Sequence, residues 1–260
     1  AHQKLHFISF EKYPLTKEDI HRYLDVWKDQ IGNRLARLLA MYPLRVSGWH
    51  PLTLTPRVTL TLIFDDVLRA MPELNTPVDC WFLDGHDPAK NPDMWSEPVF
   101  QGMARNAHHG TSFATFTAAG FVRRGLSSVG FEVTKTRGFG RKRDMTIGVF
   151  AGGNSSQPLT ALPQKIAVIG GGIAGASAAH SLSLRGVSVD LYEGVGIASK
   201  GSGNPRGLFN PRFTAARGAE SDFYSPAFAL GHRTFSSLQG PHEIGFRDCG
   251  SLHLIIDRKS

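Results

Sequence analysis

A glycine-rich turn between two short apolar segments constrains the fold of this chain more than any other feature. Residues 165–169 are apolar after Lys165, and the turn places Gly170, Gly172 and Gly175 in G-x-G-x-x-G spacing. An alanine-rich segment of helical character follows, and residues 187–192 form a second strand-like run that ends in Glu193. The pattern predicts strand, turn, helix and strand, a unit that binds dinucleotides.

Each position of this unit has a physical role. Gly170 permits the tight turn, Gly172 lets the backbone approach a pyrophosphate, and Gly175 lets helix and strand pack closely. The helix N-terminus faces the phosphates, because its first N–H groups have no partner within the helix. Glu193 is placed to accept a hydrogen bond from a ribose hydroxyl. We therefore expect a dinucleotide site that begins only at residue 165 of the chain.

Length and composition indicate a soluble globular protein. The 260 residues have room for one large or two ordinary domains, and 41% of them are hydrophobic and 20% charged. No apolar run reaches the roughly 18 residues of a membrane span. Cys80 and Cys249 predict no disulfide framework or metal site, so a reducing cytoplasm is expected. The start of the chain has neither an initiator Met nor a signal pattern, which favours a segment of a longer protein.

The net charge of +7 is concentrated in one stretch, residues 121–150, where seven cations face only two anions, Glu132 and Asp144. The cations are Arg123, Arg124, Lys135, Arg137, Arg141, Lys142 and Arg143. Such a concentration favours a polyanionic partner such as nucleic acid. A solvated basic face without a partner explains the charge equally well.

The composition changes at residues 152–164, which are rich in Gly, Ser, Asn and Pro and predict an interdomain linker. Before this linker, strand-like and helical stretches alternate, and Thr16 is placed to cap a first helix. The predicted strands are Leu5–Phe10, Val58–Phe64, Val78–Leu83, 111–117, 131–136 and 145–150, and the later predicted helices are 93–106 and 118–129. Alternation predicts a mostly parallel, doubly wound α/β sheet whose last two strands run antiparallel.

Acidic residues follow three of the predicted strands. Glu11 follows the first, Asp65 and Asp66 follow 58–64, and Asp84 follows 78–83. Ligands of open parallel sheets bind outside the carboxyl ends of the strands, where a carboxylate can accept from a ribose diol, an adenine amino group or a substrate amine. The alternative for each residue alone is a turn that favours Asp. A nucleoside site also needs a glycine-rich loop after an early strand, and none precedes Glu11.

Several longer strings resemble one family. Four of them, LHFISFEKYPLT, WFLDGHDPAKNPDMW, ATFTAAGFVRRGL and GFEVTKTRGFGRKRDM, are similar to the methyltransferase half of MnmC, a bifunctional enzyme family that modifies the wobble uridine of tRNA. KIAVIGGGIAG and GSGNPRGLFNP resemble the start of its second half, a D-amino-acid-oxidase-like flavoprotein. The resemblance covers nearly the whole chain, and the two halves occur in the same order.

The resemblance implies an α/β fold class with two parts. Residues 1–151 would be a Rossmann-like class I methyltransferase domain that lacks its first strand and glycine loop. Residues 152–164 would be the linker, and residues 165–260 the start of an FAD-binding Rossmann domain. The implied cofactors are S-adenosyl-L-methionine and FAD, and the implied partner is tRNA. A chain of this extent is expected to be inactive by itself.

The resemblance also implies two reactions on one uridine. The flavin part would remove a carboxymethyl group from a carboxymethylaminomethyl side chain, and the methyltransferase part would methylate the resulting amine. Glu11 would hold the ribose of S-adenosylmethionine, Asp66 its adenine, and Asp84 would lie beside the reacting amine. Ser202, Gly203 and Asn204 would belong to a loop near the pyrophosphate and flavin, where the alternative is an ordinary turn.

Two departures and one alternative accompany this interpretation. The family usually has Phe-Ala where this chain has His86 and Asp87, and Gly in place of Asp65. Arg123, Arg124, Arg137, Arg141, Lys142 and Arg143 are candidate tRNA contacts. A sheet edge kept soluble by charge is their structural alternative. The alternative function is a small-molecule amine oxidase fused to a non-catalytic RNA- or protein-binding domain.

Overall fold

A computed structural model describes residues 4–140, 142–153, 163–212, 214 and 216–252. Among these residues the fold is mixed α/β, as the sequence predicts. The strands are β1 (Leu5–Phe10), β2 (Gly48–Thr55), β3 (Val58–Phe64), β4 (Val78–Leu83), β5 (Ala107–Thr115), β6 (Phe131–Arg137), β7 (Asp144–Phe150), β8 (Lys165–Ile169) and β9 (Ser188–Tyr192). The helices are α1 (Lys17–Leu24), α2 (Lys28–Ile31), α3 (Asn33–Met41), α4 (Val67–Ala70), α5 (Glu97–Arg105), α6 (Gly120–Ser128), α7 (Ile173–Leu184) and α8 (Ala219–His242).

The chain divides into two compact units. One comprises Ala1–Phe64 together with Leu162–Ser260, and the other comprises Asp65–Ala161. The predicted linker, 152–164, falls largely outside the described residues, since the structure does not describe 154–162.

The first unit contains a three-stranded sheet in the order β1-β3-β2. β1 pairs with β3 in parallel and β2 pairs with β3 in antiparallel fashion. β2, which contains Pro51, is not predicted from the sequence pattern. Proline lacks the N–H that a ladder needs, and it is tolerated here because β2 lies at the end of the sheet.

Helices α1 and α3 supply apolar side chains to the core against this sheet. Thr16 caps α1 as predicted, because its Oγ1 accepts a hydrogen bond from the backbone N of Asp19 at 3.0 Å. The buried cluster comprises Ile20, Leu35, Tyr42, Leu52, Leu62 and Phe64. The carboxyl end of β3 is therefore anchored in a packed core.

The second unit contains a four-stranded sheet in the order β4-β5-β7-β6. β4 and β5 are parallel, whereas β7 is antiparallel to both β5 and β6, so the predicted antiparallel final pair is confirmed. Phe113, Phe131 and Phe150 pack edge to face beneath it, with ring centroids 5.3 and 5.1 Å apart.

The prediction of one mostly parallel sheet before the linker is wrong. In the part of this region that the structure describes, seven strands form two sheets, and three of their five pairings are antiparallel. Alternating side-chain patterns report that a strand exists, but the choice of partner depends on contacts distant in sequence.

The strand–turn–helix–strand unit is present where the glycine pattern predicts it. β8 pairs with β9 in parallel, with Lys165 opposite Ser188 and Ile169 opposite Tyr192, and α7 connects them. No helix within the described part of the chain is long and apolar enough to cross a membrane. The same residues contain no cluster of three or more His, Cys, Asp or Glu side chains suited to a metal ion.

Candidate cofactor and substrate sites

The glycine turn after β8 requires glycine at two positions for different reasons. Gly170 has a φ of +108°, a backbone conformation that side-chain-bearing residues rarely adopt. At Gly175 a Cβ atom would lie 1.9 Å from the carbonyl oxygen of Gly170, closer than any side chain can approach. The turn and the first residues of α7 are therefore in contact only because Gly175 has no side chain.

Glu193 lies against this turn. Its Oε2 accepts a hydrogen bond from the backbone N of Gly171 at 2.7 Å, and its Oε1 accepts one from the backbone N of Val195 at 3.1 Å. The Gly171 N–H, followed by the Val195 N–H, holds the pKa of the Glu193 carboxyl below its usual value. The contact between Glu193 and a ribose hydroxyl stays a prediction. It is compatible with the two observed hydrogen bonds, because each carboxylate oxygen can accept more than one hydrogen bond.

The Ser202 loop contacts the start of α7. Ser202 Oγ accepts a hydrogen bond from the backbone N of Ile173 at 2.9 Å, and a Cβ atom at Gly172 would lie 2.8 Å from that oxygen. At Gly203 a Cβ atom would lie 2.1 Å from the carbonyl oxygen of Ala198, whereas Asn204 is exposed. The sequence placed these three residues near the cofactor but did not reveal that Ser202 caps α7 from a distant loop.

These residues fit the pyrophosphate of a dinucleotide. The space beside Gly170 is open, since a Cβ atom there would meet no atom within 4 Å. The N-terminus of α7, which favours negative charge, begins immediately after Gly172. Five of the predicted flavin residues, Gly170, Gly172, Gly175, Glu193 and Ser202, are thus brought together by contacts, with Gly203 and Asn204 next in the chain.

The loop after β4 holds Asp84 at its start. Asp84 is exposed, and the carbonyl oxygen of the next residue, Gly85, accepts hydrogen bonds from Asn91 Nδ2 at 3.0 Å and from Trp95 Nε1 at 3.3 Å. A Cβ atom at Gly85 would lie 2.7 Å from Met94 Cβ. The loop therefore closes on the backbone beside Asp84, and Asn91 and Trp95 are positioning residues that the sequence analysis did not single out.

His86 follows in this loop with a φ of +63°. The left-handed region is uncommon for residues other than glycine, although His adopts it more often than most. The side chain is exposed. His86, which stands where the family usually has Phe, thus lies in a strained turn with its side chain exposed and not packed in the core.

Glu11 lies at the carboxyl end of β1, beside that of β3. Its backbone N donates to the carbonyl oxygen of Ile63 at 2.8 Å, which continues the β1–β3 ladder past the strand end. Ser9 Oγ donates to Glu11 Oε1 at 3.0 Å, and the side chain is exposed. Its carboxylate keeps acceptor capacity for ribose hydroxyls.

Asp65 and Asp66 lie between β3 and α4, immediately before the helix begins at Val67. Asp66 caps the helix by accepting a hydrogen bond from the backbone N of Leu68 at 2.9 Å, and Asp65 pairs with Arg69 at 3.2 Å. Asp66 therefore has the structural role in a turn that is the alternative to cofactor binding for each acid at a strand end. Asp84 follows β4, a strand of the other sheet, so strand pairing does not by itself place it beside Glu11.

The strand-end acids and the chemistry of S-adenosylmethionine are compatible. Glu11, Asp66 and Asp84 supply carboxylate acceptors, and the cofactor presents ribose hydroxyls and an adenine amino group that donate. Because Asp66 has one oxygen committed to the cap, adenine would share that carboxylate with α4.

The candidate tRNA contacts fall into two groups in the second unit. Arg123 and Arg124 lie on α6, and Arg137, Lys142 and Arg143 lie at the β6–β7 connection. Arg141 lies outside the described residues. Lys142 Nζ is 4.6 Å from the centre of the Phe116 ring, and Arg143 pairs with Asp144 at 3.1 Å.

The β6–β7 connection also carries an aromatic residue that the sequence analysis passed over. Phe139 is 93% exposed and lies between Gly138 and Gly140. Exposed rings beside cations are a common arrangement for stacking on unpaired bases. Its signal in the sequence was an aromatic residue between two glycines in a basic run.

β6 lies at the end of its sheet, as the edge-strand alternative requires. Lys135 and Arg143 both pair with Asp144, and the Lys135 hydrogen bond is the main reason that the pKa of the Asp144 carboxyl is lowered. Part of the basic charge is therefore structural.

Comparison with known families assigns the two parts of the chain. Residues 29–151 match the family described as S-adenosyl-L-methionine-dependent methyltransferase, and residues 165–259 match the FAD-dependent oxidoreductase family. The two matches indicate S-adenosylmethionine and FAD as the cofactors. They confirm the predicted fold class of a methyltransferase followed by the start of an FAD-binding domain.

Three curated relatives carry the name tRNA 5-methylaminomethyl-2-thiouridine biosynthesis bifunctional protein MnmC. The protein of Marinomonas sp. is 40% identical over 97% of this chain and 40% of its own length. That of Chromobacterium violaceum is 41% identical over 100% and 41%, and that of Methylobacillus flagellatus 41% identical over 100% and 40%. The chain thus spans about two-fifths of the length of these relatives. A crystal structure of MNMC2 from Aquifex aeolicus is 22% identical over 62% of this chain and 47% of its own, with a TM-score of 0.40.

Proposed function

We propose that this chain, a member of the MnmC family by its match to these relatives, acts in two consecutive modifications of a tRNA wobble uridine. The observation that carries the proposal is the order of the two family matches, methyltransferase then oxidoreductase, within about 40% identity to proteins of that name. Residues 1–151 would form the methyltransferase part, 152–164 the linker and 165–260 the oxidoreductase part.

The first reaction is removal of a carboxymethyl group from 5-carboxymethylaminomethyl(-2-thio)uridine. FAD, when bound, would accept the hydride of the methylene C–H bond beside the nitrogen, and the N–H proton would be lost. Water would then hydrolyse the resulting C=N bond to the aminomethyl uridine and glyoxylate. In this reaction Gly170, Gly172 and the N-terminus of α7 hold the pyrophosphate, and Ser202 keeps the helix start in place. Glu193 keeps the turn closed through Gly171.

The second reaction is N-methylation of that amine to the 5-methylaminomethyl form. Bound S-adenosylmethionine supplies a methyl group on a sulfonium. The uridine amine must be neutral to attack, so a carboxylate beside it has to hold the amine in line and take the proton released as the C–N bond forms. Asp84 is the proposed group, because it is exposed at the end of a strand on a loop anchored by Asn91 and Trp95.

The proposed partner is tRNA in the cytoplasm. The basic residues of α6 and of the β6–β7 connection, including Arg141, would contact the phosphate backbone. Phe139, exposed between two glycines, would stack on an unpaired base.

A small-molecule amine oxidase fused to a non-catalytic domain is the alternative. It is not favoured, because the first part matches a family of S-adenosylmethionine-dependent methyltransferases over residues 29–151. An inert adaptor would also have no reason to anchor an exposed carboxylate as the Asp84 loop does.

The test is nucleoside analysis by mass spectrometry. The protein, purified as its own cell makes it, is incubated with FAD, S-adenosylmethionine and tRNA carrying the carboxymethylaminomethyl or the aminomethyl uridine. The expected products are the aminomethyl form without S-adenosylmethionine and the methylaminomethyl form with it. If both nucleosides stay unchanged while free amines are oxidised, the amine-oxidase alternative replaces the proposal.

A further inference from the structure

Helix α6 and strand β6 border an open groove of about 480 Å³ in the second unit. It is lined by Gly120, Arg123, Arg124, Ser127, Ser128 and Val133. Two arginines and two serines make this lining rich in hydrogen-bond donors, and no acidic side chain contributes to it. A groove of this composition selects for an anion.

Arg123 gives the stronger reason. Its Nε atom is buried and has no hydrogen-bond partner among the described residues. A buried charged donor without an acceptor is costly, and structures rarely leave one so. Arg123 itself lines the groove, so an anion bound there would lie next to this guanidinium.

Arg124 adds a second guanidinium to the same groove. Its Nη1 lies 3.1 Å from the position of a Cβ atom at Gly120, so the absence of a side chain at Gly120 leaves room for it. Within the described part of the chain, neither arginine has a carboxylate within ion-pair distance, in contrast to Arg143 and Lys135, which share Asp144.

The geometry points to a phosphate-binding site in the α6–β6 groove, in which Arg123 and Arg124 take one backbone phosphate of the tRNA. The planar guanidinium offers parallel N–H groups that match two phosphate oxygens, and Arg123 Nε is the donor that lacks an acceptor. Ser127 supplies a hydroxyl at the rim. This inference rests on the proposed function for the choice of RNA, whereas the phosphate chemistry follows from the groove itself.

The test compares two double variants that remove the same charge. The groove variant, Arg123→Gln with Arg124→Gln, removes both cations of the groove. The control variant, Arg22→Gln with Lys28→Gln, removes two exposed cations from α1 and α2. In the wild type these two residues pair with Asp19 and Asp25. Binding of a tRNA transcript is measured against salt concentration, and binding of inorganic phosphate by calorimetry. Circular dichroism melting shows that each variant is folded.

The groove variant is expected to bind tRNA about 10- to 100-fold more weakly than the control variant, the range for lost hydrogen bonds to charged groups. The slope of log affinity against log salt should fall in magnitude by about one, because one phosphate contact is lost. Arg123→Lys keeps the charge but loses Nε, and should fall between the wild type and the double variant.

Equal affinity of the two double variants for tRNA and for inorganic phosphate would overturn the site. Loss of inorganic phosphate binding with unchanged tRNA binding would replace RNA by a free phosphate ligand. If the wild-type protein binds no tRNA, the proposed function fails, while the phosphate titration still decides whether the groove binds an anion. If the double variant Arg123→Gln with Arg124→Gln does not fold, the tRNA affinity of Arg123→Lys becomes the test. A tRNA affinity of Arg123→Lys equal to that of the wild type would then contradict the site.

Discussion

The glycine turn of β8 and α7 and the strand-end acids of the methyltransferase part are two proposed cofactor regions of opposite construction. In the turn, the predicted residues lie close in sequence and the structure joins them by direct contacts, from Glu193 to Gly171 and from Ser202 to Ile173. The acids lie on separate strands, and Asp66 is engaged in capping α4. A local motif carries its own geometry, whereas a dispersed site depends on how strands are assembled.

The same contrast explains the support around each site. At the turn, the absence of side chains is the determinant, since a Cβ atom at Gly175 would overlap Gly170. At Asp84, support comes from side chains that reach back to the carbonyl oxygen of Gly85. We therefore expect the turn to tolerate no added atom at Gly175. The Asp84 loop, held by two separate hydrogen bonds, should lose stability in steps as each is removed.

The largest effect is expected for Gly175→Ala. A methyl group 1.9 Å from a backbone oxygen forces turn and helix apart, which exceeds ordinary overpacking of about 1–3 kcal/mol. Flavin affinity should fall by more than about 100-fold, measured by flavin fluorescence during titration. Gly240→Ala in α8, where a Cβ atom meets nothing within 4 Å, is the control and should bind FAD normally. Normal binding by Gly175→Ala would show that the turn is not the cofactor site.

Asp84→Asn should abolish methylation and spare oxidation. Loss of a group that positions and deprotonates the amine costs about 100-fold or more in rate. Methyl transfer from labelled S-adenosylmethionine to aminomethyl-uridine tRNA measures the one activity, and release of the carboxymethyl group measures the other. Asp79→Asn removes a 97%-exposed carboxylate from β4, the strand that precedes Asp84, and should change neither activity. Parallel loss of both activities in Asp84→Asn would contradict the separate assignment.

Asn91→Ala should have a smaller effect on the same reaction. It removes one of the two side-chain donors to Gly85, worth about 0.5–1.5 kcal/mol, so methyl transfer should slow by roughly 2- to 10-fold. The loss should appear in kcat for methylation and not in KM for S-adenosylmethionine, because Asn91 orients the loop. Ser96→Ala removes a nearby hydrogen bond to Asp93 and serves as the control. A change in KM alone would indicate that Asn91 contacts the cofactor instead.

The smallest effect concerns the acid dependence of the turn. Because hydrogen bonds from Gly171 and Val195 depress the pKa of Glu193, its contribution is present above the usual glutamate pKa and is lost as the pH falls through the lower, folded value. The amide resonance of Gly171, followed by NMR, should titrate with a midpoint below that of an unperturbed glutamate. Glu193→Gln should abolish this titration. A midpoint at or above the usual value would show that the carboxylate is not held by the turn.

Most elements were predictable because they depend on local pattern. The six strands predicted before the linker, the two predicted around the glycine turn and the cap at Thr16 are present, since alternation and capping act over a few residues. β2 was not predicted because a proline such as Pro51 is incompatible with a strand that has hydrogen-bonded neighbours on both sides. The sequence does not tell which strand lies at the edge of a sheet, where proline is tolerated. The split into two sheets was missed for the same reason, because partner choice is non-local.

By itself, the sequence determined the order of the two parts, their cofactors, and the need for glycine in the turn at Gly170 and Gly175. These properties are encoded in contiguous residues, where spacing along the chain is spacing in the structure. Only the tertiary structure decided that Ser202 caps α7 and that Asn91 and Trp95 hold the Asp84 loop. It also decided that Arg123, which lines the α6–β6 groove, has a buried Nε with no partner in the described part of the chain. Hydrogen bonds between distant segments, and the burial that their packing produces, form only when the chain folds. They therefore cannot be predicted from the spacing of residues along the sequence.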